Sequence, residues 1–145
     1  MLKNKMGNAG FLINLISLNN LLQKRIKLIL REFAINYLDY SILVYSSQNL
    51  ATQYKIAKIY NISVQRINQI MSNLEKGEYI IKKEMFANGR VVKEIIVTEK
   101  GKRVIKKVDN ELIEKVQLND ISFDMVNSFE KVLKSLLDDL PKELA

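Results

Sequence analysis

Between Ser63 and Gly77 the chain carries an amide-rich run, VQRINQIMSNLEK. Asn and Gln present a donor beside an acceptor, and Arg presents a rigid fork of donors. On a helix, Ile67, Ile70, Met71 and Leu74 fall on one face, and Gln65, Arg66, Asn68, Gln69, Ser72 and Asn73 fall on the others. An ordinary solvent face in so Lys-rich a chain would carry Lys and Glu. Amides can pair bidentately with adenine, and arginine with guanine. The plain alternative is a row of solvated side chains.

A second group follows in MFANGRVVKEIIVTEKG, Met85 to Gly101. Asn88-Gly89 is a strong two-residue turn signal, because both residues accept positive φ. It joins YIIKKEMF to RVVKEIIV, two β-branched runs that half alternate. Asn88 shapes the tip, and Arg90 stands on its rim, where a narrow A·T minor groove would attract it. Lys82, Lys83 and Lys93 flank it as phosphate contacts, which position without specifying. An ordinary charged hairpin tip is the bland reading.

Other chemistries are excluded. The chain has no Cys and no His, which removes disulfides, thiol redox sensing, thiol or imidazole metal sites and any Ser-His or Cys-His nucleophile pair. Its carboxylates form no recognisable acid/base constellation, so no enzyme is expected. No apolar run approaches the roughly 20 residues of a membrane span. The start, MLKNKMGNAGFLINLISL, only loosely mimics a signal peptide, and a cytoplasmic protein is expected.

Helices must position both groups. The first is expected over Gly10 to Ala34, with Phe11, Leu15, Leu18, Leu22, Ile26, Ile29 and Phe33 on one face. Leu12, Ile16, Leu21, Leu28 and Leu30 widen that face until it needs cover on more than one side, either a second subunit or a monomer core. A second helix, YLDYSILVYSS, takes Asp39 as N-cap, with Tyr40, Leu43 and Val44 inward. QNLA reads as a loop, Thr52 caps QYKIAKIY, and Asn61 ends it in a left-handed turn. Ser63 caps the amide-rich helix and Gly77 closes it; Thr98 caps EKGKRVIKKVDNELIEKV. After a break at Leu118 to Ser122, a last helix runs from Phe123 to Leu140 and stops at Pro141, with Val126, Phe129, Val132 or Leu133, Leu136 or Leu137, and Leu140 along one face.

Charge is uneven along the 145 residues. Residues 1–49 hold six basic and two acidic groups, residues 50–107 thirteen and five, and residues 108–145 four and nine. The basic centre suits a polyanionic partner, and the acidic end argues against a uniform Lys bias across the net +7 chain.

Helix, tight turn, helix, hairpin is the order of a winged helix-turn-helix. Ala57 supplies the small residue at the close approach, Asn61 the turn four positions on, and Ile67 and Ile70 the buried aliphatics. The fold class is therefore mainly α with a small β-hairpin wing.

Over nearly its whole length the chain resembles the MarR-type transcriptional regulators, named for multiple antibiotic resistance. The resemblance rests on the long first helix, LDYSILVYSS, IAKIYNISVQRINQIMSNLEKGEYI, NGR and VTEKGKRV, with Leu74 to Ile80 and Thr-Glu-Lys-Gly the more specific pieces. The staphylococcal accessory regulators are a related branch. The resemblance implies a homodimer joined through helices in 1–35 and 108–145, around a DNA-binding lobe at 36–107. It implies a recognition helix in the major groove, a wing in the minor groove, a roughly palindromic operator and repression. It assigns DNA contact to Ser63, Gln65, Arg66, Asn68, Gln69, Asn73, Lys82, Lys83, Asn88, Arg90 and Lys93. No resident cofactor or metal is implied. The resemblance implies a response to small phenolic or anionic ligands in many members; Tyr37, Tyr40 and Tyr45, with Arg25 or Arg31, read either as the wall of an inter-lobe pocket or as plain core and surface residues, and no ligand is assigned. Two departures stand out. The wing has one Arg in place of an Asp-x-Arg-x-x-Arg-like set, and Gln69 stands where an Arg is common. A dimeric protein-interaction module that reads no DNA sequence is the competing expectation.

Overall fold

The structure is a computed structural model and describes residues 5–116 and 122–139. In order these form α1 (Lys5–Leu30), a 3-10 turn (Arg31–Phe33), α2 (Tyr37–Gln48), β1 (Ala51–Thr52), α3 (Gln53–Ile59), α4 (Val64–Lys76), β2 (Ile80–Ala87), β3 (Arg90–Val97), α5 (Glu99–Val116) and α6 (Phe123–Asp139). The strands make one antiparallel sheet in the order β1-β3-β2.

The lobe is built around one apolar cluster. Ile42 and Leu43 of α2, Ile56 of α3, Ile67, Met71 and Leu74 of α4, Ile80 and Ile95 of the sheet, and Val104 and Val108 of α5 are all buried. The side chains of α4 that were expected to point inward do so, which turns its amide row outward.

Several details differ from expectation. The long first helix begins by Lys5 rather than Gly10, and breaks at Leu30 into the 3-10 turn, after which Ala34 takes a left-handed φ of 53°. Asp39 does not cap α2. Asn36 does, its side chain accepting from Asp39 N at 2.8 Å, and Asp39 bonds back to Asn36 as the third residue of a capping box. QNLA is not wholly loop: Ala51 and Thr52 pair with Ile95 and Glu94 of β3, adding a third strand. Thr52, Ser63 and Thr98 cap their helices as expected, accepting from Lys55, Arg66 and Gly101 N at 3.2, 3.2 and 3.1 Å. Gly77 does end α4, but its φ is −75°, and the left-handed residue is Glu78 at 62°. Gly77 is small for another reason, since a Cβ there would meet the Tyr79 ring at 2.5 Å.

Among the described residues, only the C-terminal end of α1 is fully covered within the chain, where Ile29 and Leu30 are buried, while Phe11, Leu12, Ile13, Ile16, Leu18 and Leu21 stay exposed. Ser122 caps α6 through Met125 N at 3.2 Å. Phe123, Val126, Phe129, Val132 and Leu137 of α6 are exposed, and among the described residues no other element packs substantially against it. Of the expected break over Leu118 to Ser122, all but Ser122 lies outside the described residues, as does the expected helix end at Leu140 and Pro141.

Gly101 gives a sharp test of this packing. A Cβ there would stand 2.4 Å from the backbone oxygen of Tyr79 and 2.7 Å from Val97 Cγ1. Backbone cannot swing aside as a side-chain tip can. Gly101→Ala is expected to destabilise the fold by about 1–3 kcal/mol, read as a lower midpoint in urea with an unchanged slope.

Candidate nucleic-acid interface

The interface is built from the turn between α3 and α4 outward. Ile62 N donates to Ala57 O at 3.0 Å, closing the turn over the small residue, and Asn61 takes a φ of 49° as its position demands. With Ile67, Ile70, Met71 and Leu74 fixed in the core, helical geometry leaves Gln65, Gln69 and Lys76 diametrically outward. Lys76 was not among the expected contacts. Its place seven residues after Gln69 was the signal that could have found it.

The other candidates are less uniform. Ser63 is exposed, but its hydroxyl already caps α4. Asn68 sits on one flank, its Oδ1 accepting from Gln53 Nε2 at the start of α3. Arg66 and Asn73 share the opposite flank. Asn73 borders a cleft of about 670 Å³ with Asn36, Asp39 and Lys76.

Arg66 belongs electrostatically to that cleft. Burial pushes the Asp39 carboxyl above its ordinary 3.8, and hydrogen bonds from Asn36 and the positive field of Arg66 pull it back.

On the wing, β2 and β3 pair in full register from Ile80↔Val97 to Ala87↔Arg90, and Asn88 and Gly89 close the turn with φ of 51° and 74°. Arg90 is exposed at the tip. Lys83 and Lys93 are exposed along the strands. Lys82 is different: its ammonium lies 3.7 Å from Glu75 of α4, with the side chain only 21% exposed. It braces the wing against the helix, so a role as a loose phosphate contact is not what this geometry favours.

The basic centre of the chain is also divided. Lys100, Lys102, Arg103, Lys106 and Lys107 lie on α5 rather than on α4 or the wing. Lys107 pairs with Glu32, Lys102 with Glu99 at 3.2 Å, and Lys100 Nζ donates to Gly77 O at 2.8 Å while lying 4.8 Å from the Tyr79 ring centre.

The tyrosines do converge. Tyr37, Tyr40, Tyr45 and Tyr60 line a cavity of about 330 Å³ with Ser41 and Gln48, and Arg25 and Arg31 are not in its wall. Tyr60 OH is fixed to Ser41, 3.0 Å from both its hydroxyl and its carbonyl. Burial, helped by Asp109 and Tyr37, pushes the Tyr40 hydroxyl up to about 12.

Solved structures share this arrangement. A MepR mutant from a multidrug-resistant S. aureus clinical isolate is 20% identical, with a TM-score of 0.71 over 92% of this chain and 97% of that one. BldR from Sulfolobus solfataricus is 22% identical, with a TM-score of 0.65 over 94% and 99%. A MarR family transcriptional regulator from Streptomyces coelicolor, solved in complex with DNA, is 18% identical, with a TM-score of 0.62 over 92% and 88%. No family model and no curated protein matches the chain. The chain thus has the winged-helix fold of the MarR-type regulators.

Asp39 supplies a pH test. Its folded pKa lies above 3.8, so ionising it costs stability. That cost is absent below the unfolded pKa, grows as pH rises through the folded one, and is constant above. Asp39→Asn, which removes the charge, should therefore gain stability relative to the parent as pH rises from about 3 to about 7. Thermal melts of both proteins across that range check the sign.

Proposed function

We propose that this chain is a non-enzymatic, cytoplasmic transcriptional regulator that binds double-stranded DNA sequence-specifically as a homodimer, most simply as a repressor on a palindromic operator. One observation carries the DNA reading: the uncharged polar row of Gln65 and Gln69 stands opposite the buried stripe of α4, next to a basic two-stranded wing. A helix so presented fits the major groove, and Arg90 reaches the adjacent minor groove. The DNA-bound state of the Streptomyces coelicolor neighbour supports this reading by analogy of fold.

The lobe at 36–107 carries the DNA contacts, and helices in 1–35 and 108–145 join two copies. Exposed surface supports the second statement. The chain exposes 11280 Å² at 16.8 kDa. A compact monomer of that mass exposes about 7,600 Å². Large apolar residues of α1 and α6 stand exposed, and about 800 Å² per partner suffices for a stable interface. Sedimentation should give twice the mass of one chain at micromolar concentration, and a clean monomer would remove the dimer. Small-molecule control is assigned to the tyrosine cavity, which lies within the lobe.

A second reading, a winged-helix dimer that docks a protein and reads no DNA sequence, draws on the internal engagement of Asn68 and Lys82. Sequence selection decides between them. Selection from random duplexes should yield a consensus, and for about six neutralised phosphates the affinity should fall roughly a thousandfold between about 50 and 200 mM salt. Gln69→Ala and Arg90→Ala should each weaken the selected complex by about 1–3 kcal/mol without unfolding the protein. Ile67→Ala should instead cost about 2–5 kcal/mol of stability. Binding without a consensus, indifferent to Arg90→Ala, would favour the protein-docking module.

A further inference from the structure

The wing carries an apolar pair at its tip. Phe86 is 75% exposed and Val91 63%. They stand directly opposite each other across β2 and β3, beside the Ala87–Arg90 pair that closes the turn. With so much of each uncovered, mutual packing does not account for them.

Their place in the ladder tells which way they face. Alternation puts Ile80, Lys82, Glu84 and Phe86 on one face, opposite Val97, Ile95, Lys93 and Val91. At the base of the hairpin this is the core face, with Ile80, Ile95 and Val97 buried. One step out, Lys82 reaches Glu75 of α4. Phe86 and Val91 therefore continue the face turned toward α4, beyond the edge of the core. The two-residue turn at Asn88-Gly89 has no spare chain to fold over them.

We propose that Phe86, backed by Val91, is an apolar wedge at the wing tip that enters the minor groove of duplex DNA, with Arg90 on the other face of the same ribbon, and parts a base step. The proposal rests on the DNA-binding reading of α4 and adds a bending element to it. Charge selects this occupant: with Lys82 held by Glu75, the hairpin from Ile80 to Val97 still offers Lys83, Arg90 and Lys93 against two carboxylates, a setting that draws in a polyanion. Size selects it too. One aromatic side chain buries about 150–250 Å², well below the roughly 800 Å² per partner of a stable protein interface. A wedge needs only one or two side chains, and phenylalanine is among the residues that part base steps and kink the duplex. The wedge also gives the single-arginine wing a means of discrimination that needs no further hydrogen bonds. Pyrimidine–purine steps open most easily, so they are favoured beneath the wing.

The test uses the full chain and a duplex of about 30 base pairs, selected from random sequence by the parent protein and labelled at its ends for energy transfer. The parent should shorten the end-to-end distance. Phe86→Ala, at an exposed position, should fold normally, bind roughly tenfold more weakly and leave the duplex straighter, and Phe86→Leu should restore the bend. An unbent parent complex, or Phe86→Ala with the bend intact at any affinity, overturns the wedge alone. If the parent selects no sequence, the regulator reading falls and the wedge falls with it.

Discussion

Tyr79 is the point on which the lobe turns. Its backbone N–H donates to Leu74 O at 2.9 Å, closing the end of α4. Its carbonyl accepts from Thr98 N at 3.0 Å, tying the start of the wing to the start of α5. Its hydroxyl donates to Phe33 O at 3.0 Å, forty-six residues away, at the foot of α1. The ring occupies the space that Gly77 leaves, and the carbonyl occupies the space that Gly101 leaves. Four segments therefore share one residue. Each hydrogen bond contributes only about 0.5–1.5 kcal/mol net, but a buried tyrosine without its partners would leave several polar groups unsatisfied at once.

That node explains a local cost. Glu78 holds a left-handed φ of 62°, a conformation that costs a non-glycine residue about 1–2 kcal/mol. The turn is kept because Thr98 Oγ1 donates to Glu78 O at 2.6 Å and Lys100 Nζ to Gly77 O at 2.8 Å. The same two residues open α5. So the end of α4, the first residues of the wing and the helix leaving the lobe form one rigid piece. β1 on β3, Asn68 on Gln53 and Glu75 on Lys82 add three more braces. The bracing is done by the flanks of α4, which leaves Gln65, Gln69 and Lys76 on its outward side.

Much of this was legible in local chemistry. The turn residue Asn61, the caps Thr52, Ser63 and Thr98, the Asn88-Gly89 tip and the apolar face of α4 each depend on neighbours within a few positions, and each stands as read. What escaped depends on a distant strand in one case and, in the others, on which nearby group the fold brings into contact. A two-residue strand has no periodicity of its own, so β1 is visible only once β3 lies beside it. Asp39 looked like a cap because an acid near a helix start usually is one; the hydrogen bond from Asp39 N to the Asn36 side chain puts Asn36 in that role. Lys82 read as a phosphate contact because sequence cannot show that Glu75 stands 3.7 Å away. Gly77 ended its helix as expected, yet for the sake of an aromatic ring two residues on rather than for positive φ.

Charge placement joins the two ends of the chain to its middle. Five of the thirteen cations in residues 50–107 lie on α5, and Lys82 is tied to Glu75. Few cations per chain are left on α4 and the wing, and a wing with one arginine gives weak electrostatic anchoring on its own. Because each phosphate contact multiplies affinity, joining two such lobes doubles the exponent rather than the sum. In the proposed dimer the apolar faces of α1 and α6 are therefore what make a sparse interface sufficient. A chain that anchored itself through a dense wing could bind as a single lobe; this one, with its outward row made mainly of amides, gains specificity from the helix and strength from pairing.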